Sequence, residues 1–275
     1  MCELLAVSSS QAARLRFSLR RLAARGGAAD LPHDGWGVAF YDSADVALFR
    51  EPAAAASSAL VRFLERHGPS TVLGLSHIRH ATWGAVGLCN TQPFVRALGG
   101  TAHVFAHNGF LSGIDSSKAL ALDIDQPMGQ TDSEIAFCAL LARLRMLWNG
   151  SETAIPSLDA RLSVLASFAA DLRALGAANF LYADGNALFA HAHKRANRLG
   201  GPLEVPGLWM LERHHTPPHP DPVHVAGVAT DHGQTSAVLI ASVPLTHEAW
   251  QPMREGQLIA VRGGQVVAQQ FMKAC

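Results

Sequence analysis

Short apolar runs rich in β-branched and aromatic residues, bounded by Gly, Asp or Asn, recur along the whole chain but are interrupted once by two long stretches of helical periodicity. The candidate strands are Cys2 to Val7, Trp36 to Tyr41, Val46 to Phe49, Thr71 to His77, His103 to His107, Phe180 to Ala183, Ala187 to His191, Leu208 to Leu211, Val225 to Ala229, Ser236 to Ser242, Gln257 to Val261 and Gln265 to Ala268. Asp184-Gly185-Asn186 and Arg262-Gly263-Gly264 carry the turn chemistry of hairpins. The helical stretches are Asp132 to Leu147, with Ile135, Cys138, Ala139, Ala142 and Met146 on one face, and Leu158 to Leu175, with Leu162, Leu165, Ala166, Ala169 and Leu172. Thr131 and Glu134 have capping-box spacing at the start of the first, and Gly176 is placed to end the second. Shorter helices are expected at Gln11 to Arg25 and Ser57 to Arg66. Hairpins on both sides of a central helical pair, without repeated strand-helix-strand units, predict an α+β fold of antiparallel sheets packed on each other with helices outside.

No repeat, low-complexity linker or charge run marks a boundary, so one domain over residues 1–275 is expected. Charged residues make up 16% of the chain, with 22 basic and 22 acidic, which gives no bias toward nucleic acid or an anionic membrane. The longest apolar runs fall short of the roughly 20 residues needed to cross a bilayer, and Glu3 stands where a signal peptide would carry basic charge. A cytoplasmic protein is expected. Cys2, Cys89, Cys138 and Cys275 form no C-x-x-C pair, and read as free thiols, the last three as small buried or terminal residues.

Cys2 stands apart by position. Initiator methionine is normally removed before a small residue, which would place thiol and α-amine on one terminal residue. With reference pKa values of about 8.5 and about 7.7 to 8.0, the amine can take the thiol proton near neutral pH, so nucleophile and base need no histidine.

Further segments resemble the class II glutamine amidotransferases, N-terminal-nucleophile enzymes. His77-Ile78-Arg79-His80-Ala81-Thr82-Trp83-Gly84 resembles that family's Arg-x-Ala-Thr segment. The resemblance implies that Arg79 grips the α-carboxylate of glutamine, with Thr82 in support, and a guanidinium suits a carboxylate as lysine does not. His107-Asn108-Gly109 is similar to the His-Asn-Gly segment, which implies an oxyanion hole formed by the Asn108 amide and the Gly109 N–H. Asn-Gly is also the commonest type I′ hairpin pair. Thr131-Asp132-Ser133-Glu134 is similar to Thr-Asp-x-Glu, which implies that Asp132 binds the substrate α-ammonium; an aspartate opening a helix also answers the helix dipole. Asp34-Gly35-Trp36-Gly37 is similar to the Asp-Gly-x-Gly strand entry, where glycines permit close backbone packing.

These motifs stand in the family's order over the first half of the chain. Within the family the likeness is to stand-alone YafJ-type proteins, carried by Met1-Cys2-Glu3-Leu4-Leu5, by Asp34 to Gly37 and by Asn90-Thr91-Gln92-Pro93-Phe94. Two positions depart: Gln92 and Trp83 stand where histidine is common. The resemblance implies a four-layer αββα sandwich of two antiparallel sheets. It further implies hydrolysis of a γ-glutamyl amide, either glutamine or a γ-glutamyl conjugate, through a glutamyl-thioester on Cys2, with no metal or cofactor. An ammonia-accepting synthase would act in trans, or the enzyme is purely hydrolytic.

Two other readings stay open. Fourteen histidines, among them His191, His193, His214, His215, His219 and His224, prompt a metal-dependent hydrolase or sensor. An inactive domain that keeps only the glutamine pocket is the other.

Overall fold

The computed structural model describes residues 2–14, 34–149, 155–197, 200–214 and 236–272. The strands are β1 (Glu3–Arg14), β2 (Gly35–Asp42), β3 (Asp45–Glu51), β4 (Ser70–Arg79), β5 (Phe94–Leu98), β6 (Thr101–Asn108), β7 (Asn179–Ala183), β8 (Leu188–His191), β9 (Arg195–Ala196), β10 (Leu203–Glu204), β11 (Trp209–His214), β12 (Ser236–Ala241), β13 (Gln251–Pro252), β14 (Gln257–Arg262) and β15 (Gln265–Phe271). The helices are α1 (Ala59–His67), α2 (Asp132–Asn149) and α3 (Leu158–Leu175).

A seven-stranded sheet runs β13-β11-β12-β1-β4-β2-β3 and a six-stranded one β15-β14-β8-β7-β6-β5, while β9 and β10 pair separately. The pairings are antiparallel, as in β1 with both β12 and β4. Side chains alternate across β1: Leu4 and Ala6 join Val104, Ala106, Leu181 and Ala183 in the core between the sheets, while Leu5 and Val7 face the other way, toward Val61 and Leu64 of α1. On β6, Phe105 turns from that inter-sheet core toward α2 and α3, stacking on Phe137 at 5.4 Å between ring centroids. The layers are therefore α1, sheet, sheet and the α2/α3 pair, the αββα order expected.

Local chemistry accounts for the element ends. Ser58 and Ser157 cap α1 and α3 by accepting from Val61 N at 3.0 Å and Ala160 N at 3.2 Å. Thr131 Oγ1 accepts from Glu134 N at 3.3 Å, one half of the anticipated capping box. The other half is absent, because the Glu134 carboxylate accepts from Gly129 N and pairs with Arg96 at 2.6 Å. The hairpin glycines Gly185 and Gly263 take the positive φ that such turns require.

Several expectations need correcting. Of the expected face of α2, Cys138 and Ala139 are buried and Ile135 and Ala142 partly so, but Met146 is 80% exposed; the larger side chains Phe137, Leu140, Leu141, Leu144 and Trp148 make the packing on the six-stranded sheet and on α3. Residues 11–14, expected to open a helix, continue β1; residues 15–25 of that expected helix, and the strand expected at 225–229, lie outside the described residues. Cys138 is buried, Cys89 is exposed rather than buried, and Cys275 lies outside the described residues. No helix among the described residues is long and apolar enough to cross a membrane.

Candidate active site

β1 and β2 begin at the end of the sandwich where β4 and β6 finish, so residues far apart in sequence meet there. Cys2 enters β1, the central strand of its sheet. Its Sγ accepts from His80 N at 3.2 Å and donates to His80 O at 3.4 Å. Enclosing protein pushes the thiol pKa up from 9.0, with the His80 amide pulling the other way. A thiol held neutral by its surroundings needs a base before it can attack.

Asn108, the last residue of β6, directs Nδ2 to Cys2 O at 2.7 Å, with Ser242 Oγ 3.5 Å away. The chain continues through Gly109 to Leu111, which bridges to Gly176, so Asn108-Gly109 is not a two-residue hairpin turn. Only glycine fits at 109: a Cβ would stand 1.8 Å from Ala177 O. Gly176, just past α3, is pressed equally close, since its Cβ would meet Phe110 O at 2.0 Å.

The backbone ahead of Asn108 is fixed by side chains. Gln92 Oε1 accepts from His107 N at 2.6 Å and Gln92 Nε2 donates to His107 O at 3.1 Å. The His107 ring bridges Ser133 Oγ at 2.9 Å and Ala177 O at 3.1 Å. Asn179 Nδ2 donates to Asn108 O at 3.2 Å and Lys194 O at 2.7 Å.

Arg79 ends β4, and its guanidinium is buried. It donates to the carbonyls of Trp83 at 3.0 Å, Gly84 at 3.2 Å and Ala85 at 3.2 Å. Those oxygens occupy donors that a substrate carboxylate would use. Asn90 ties the same loop to the segment before α2, donating to Ala85 O at 2.9 Å and accepting from Gln130 N at 2.8 Å. Asp132 opens α2, where its carboxylate accepts from Ser133 N at 2.7 Å and Leu111 N at 2.8 Å, so the helix-start role applies to it. Asp34 accepts from Ala81 N at 2.7 Å. Gly37 has no room for a Cβ, which would lie 2.3 Å from Gln92 O, the close packing expected of the Asp-Gly-Trp-Gly segment.

Of the six residues singled out from sequence, Cys2, Thr82, Asn108 and Gly109 line one cavity of about 380 Å³. Arg79 and Asp132 are not part of its wall.

Sequence reading missed a buried ion pair beside the thiol. Arg195 of β9 donates to Glu3 Oε1 at 2.7 Å, Glu3 Oε2 at 3.2 Å and Ser242 O at 2.6 Å. Burial pushes the Glu3 carboxyl up from 4.5 and Arg195 opposes that shift. An acidic residue in the apolar run that starts β1 signals the need for a cation, but nothing local points to residue 195. Asn179 and Ser242 carried no signal at all.

His191 and His193 are buried, with His191 Nδ1 on Ala178 O at 2.7 Å and His193 Nε2 3.5 Å from Glu255. Among the described residues no group of three His, Cys, Asp or Glu could hold a metal ion. His214 is described and exposed, whereas His215, His219 and His224 lie outside the described residues.

Comparison with known proteins gives a consistent result. The family described as Glutamine amidotransferases class-II matches residues 1–275. The putative glutamine amidotransferase YafJ of Escherichia coli strain K12 is 30% identical over 258 residues, covering 94% of this chain and 96% of that protein. The crystal structure of a predicted glutamine amidotransferase from Pseudomonas aeruginosa superposes with a TM-score of 0.68 at 28% identity, covering 97% of this chain and 100% of that one. Glutamine phosphoribosylpyrophosphate amidotransferase of B. subtilis shares the fold, with a TM-score of 0.56 at 13% identity, over 98% of this chain and 49% of that one.

Proposed function

The chain belongs to the class II glutamine amidotransferases, and from that membership we propose that it hydrolyses a γ-glutamyl amide, glutamine or a γ-glutamyl conjugate, with the Cys2 thiol as nucleophile. The observation that carries the reading is the placement of Cys2, Asn108 and Gly109 on one cavity, with the thiol against the His80 peptide.

In this scheme Met1 is removed and the Cys2 α-amine takes the thiol proton. Sulfur bonds to the side-chain carbonyl carbon, whose oxygen gains charge opposite Asn108 Nδ2 and Gly109 N. The carbon–nitrogen bond then breaks as the amine passes the proton to the leaving nitrogen, leaving a glutamyl-thioester. Water adds its hydroxyl to the acyl carbon and returns its proton to sulfur, releasing glutamate. Removing one oxyanion donor typically costs about 100- to 1,000-fold in kcat.

Arg79 and Asp132 would take the carboxylate and ammonium of the head group, with Thr82 beside the thiol. Substrate binding at Arg79 requires the neutral carbonyl acceptors of the 83–85 loop to be exchanged for carboxylate oxygens, which give the stronger, charge-assisted hydrogen bonds. No cofactor or metal enters the scheme. A cytoplasmic location, and an ammonia-accepting synthase in trans where glutamine is the substrate, belong to the same reading.

The test is intact-mass measurement after treatment with a diazo-ketone analogue of glutamine. The expected result is a chain lacking Met1 with one adduct, located on Cys2, and a Cys2→Ala variant that is neither labelled nor active. Active protein that still carries Met1 would overturn the proposal.

A further inference from the structure

We propose that the nitrogen leaving from this site belongs to a bulky apolar primary amine, seated between Phe110, Ala177 and Leu203. The inference rests on the amidohydrolase reading above and specifies its substrate.

The first argument is size. A site that releases only ammonia has to accommodate a water-sized leaving group, about 30 Å³. The cavity at Cys2 is about 380 Å³. In the complex proposed above the head-group charges lie at Arg79 and Asp132, outside this wall, so the volume is left to the γ-carbonyl arm and the leaving group. The space extends from the thiol toward α3 and the β9–β10 pair instead.

The second argument is chemistry. Phe110, Leu175, Ala177, Ala196 and Leu203 line that direction. Two charged side chains also contribute, and both are already answered: Lys194 Nζ lies 3.0 Å from Glu255 Oε1, and Arg195 is bound to Glu3 and Ser242 O. The wall therefore offers apolar contact and no uncompensated charge.

The third is exposure. Phe110 and Leu203 are 53% and 52% exposed, although both reach the cavity, so a ligand there would take apolar surface of both out of water. Neither side chain is needed for the release of ammonia. The reaction balances as before, with the amide carbon–nitrogen bond broken, the thiol proton carried away on the departing amine, and water restoring the thiol as glutamate leaves.

The experiment compares kcat/KM for L-glutamine with the γ-glutamyl amides of methylamine, butylamine and phenethylamine, read as glutamate released. Primary alkylamines have similar basicity, with pKa values of about 10 as for lysine, so intrinsic reactivity is nearly constant along the alkyl series. The expected result is a rise of about threefold or more per added methylene, set by apolar burial. Leu203→Asp, at a position 52% exposed, is expected to lower the ratio of phenethylamide to glutamine at least tenfold, with circular dichroism unchanged from the parent. A flat series, or glutamine as the best substrate, with Cys2 still labelled by the diazo-ketone, overturns this inference and leaves the amidohydrolase reading intact; the cavity would then be a passage for ammonia. Failure of every amide together with an unlabelled Cys2 overturns both.

Discussion

Gln92 holds His107 by both polar groups of its backbone, receiving its N–H at 2.6 Å and giving an N–H to its carbonyl at 3.1 Å. A side-chain amide presents donor and acceptor along one edge, the pattern of a peptide, and neither end titrates. The departure from histidine at this position is thus a working contact. It sets the strand that delivers Asn108.

Gln92→Ala leaves a buried amide and a buried carbonyl of His107 without partners. Such groups cost about 1–3 kcal/mol each, so a loss of roughly 2–6 kcal/mol is expected in urea unfolding, read from the midpoint at unchanged slope. A shift under 0.5 kcal/mol would show that Gln92 is not holding the strand.

Gly109→Ala is expected to abolish turnover. The added methyl would have to lie 1.8 Å from Ala177 O, so the 109 peptide must move and take its N–H away from the carbonyl it is to serve. A loss of at least about 100-fold in kcat is expected, with circular dichroism to separate displacement from unfolding. Near-normal turnover would remove Gly109 N from the oxyanion site.

Arg195→Met strands the Glu3 carboxylate in the interior, a change that typically costs about 3–5 kcal/mol. Burial already raises the Glu3 pKa above 4.5. A carboxyl raised in the folded state favours folding fully below pH 4.5 and loses that contribution as pH climbs through the folded value. Without Arg195 the rise is larger. The variant should come closest to the parent near pH 4 and fall furthest behind between pH 7 and 8; a pH-independent gap in denaturation midpoints would contradict the pairing.

Acid should destabilise the fold well before the carboxylates protonate. Burial lowers His77 and His191 to about 3 and His103 to about 4, and among the described residues neither ring nitrogen of His77 has a hydrogen-bond partner. In the unfolded chain these rings bind protons near 6.5. Lowered histidine values mean stability that is full above 6.5 and is lost as pH falls toward those folded values, by up to about 1.4 kcal/mol per pH unit for each ring. Urea midpoints at pH 7.5, 6 and 5 should drop progressively, and equal midpoints at 7.5 and 5 would refute the effect.

The strands of the sandwich were legible where alternation and turn residues coincide, as at Asp184-Gly185-Asn186 between β7 and β8. Helix positions were legible too, but the buried side of α2 was legible only in part. Residues 136–141 are all buried, so no polar face exposes the orientation, and only packing on α3 and the sheet selects it. At the site, motif residues stood out because each has local context. Arg195, Asn179 and Ser242 act through long loops closed by tertiary structure, between residues from 71 to 238 positions apart, and no local pattern records such a closure. Strand β5 escaped notice because Arg96 breaks the apolar run; its cation is answered by Glu134 across on α2.

β1 is flanked by β12 and β4 on its two edges and by apolar packing on its two faces. The strand that carries the proposed nucleophile, the Cys2 sulfur, is therefore among the last parts of the molecule free to fray. Its amide hydrogens should exchange only when the whole domain opens, and catalytic competence should disappear in step with global unfolding, with no earlier phase in which an intact-looking molecule has lost its nucleophile.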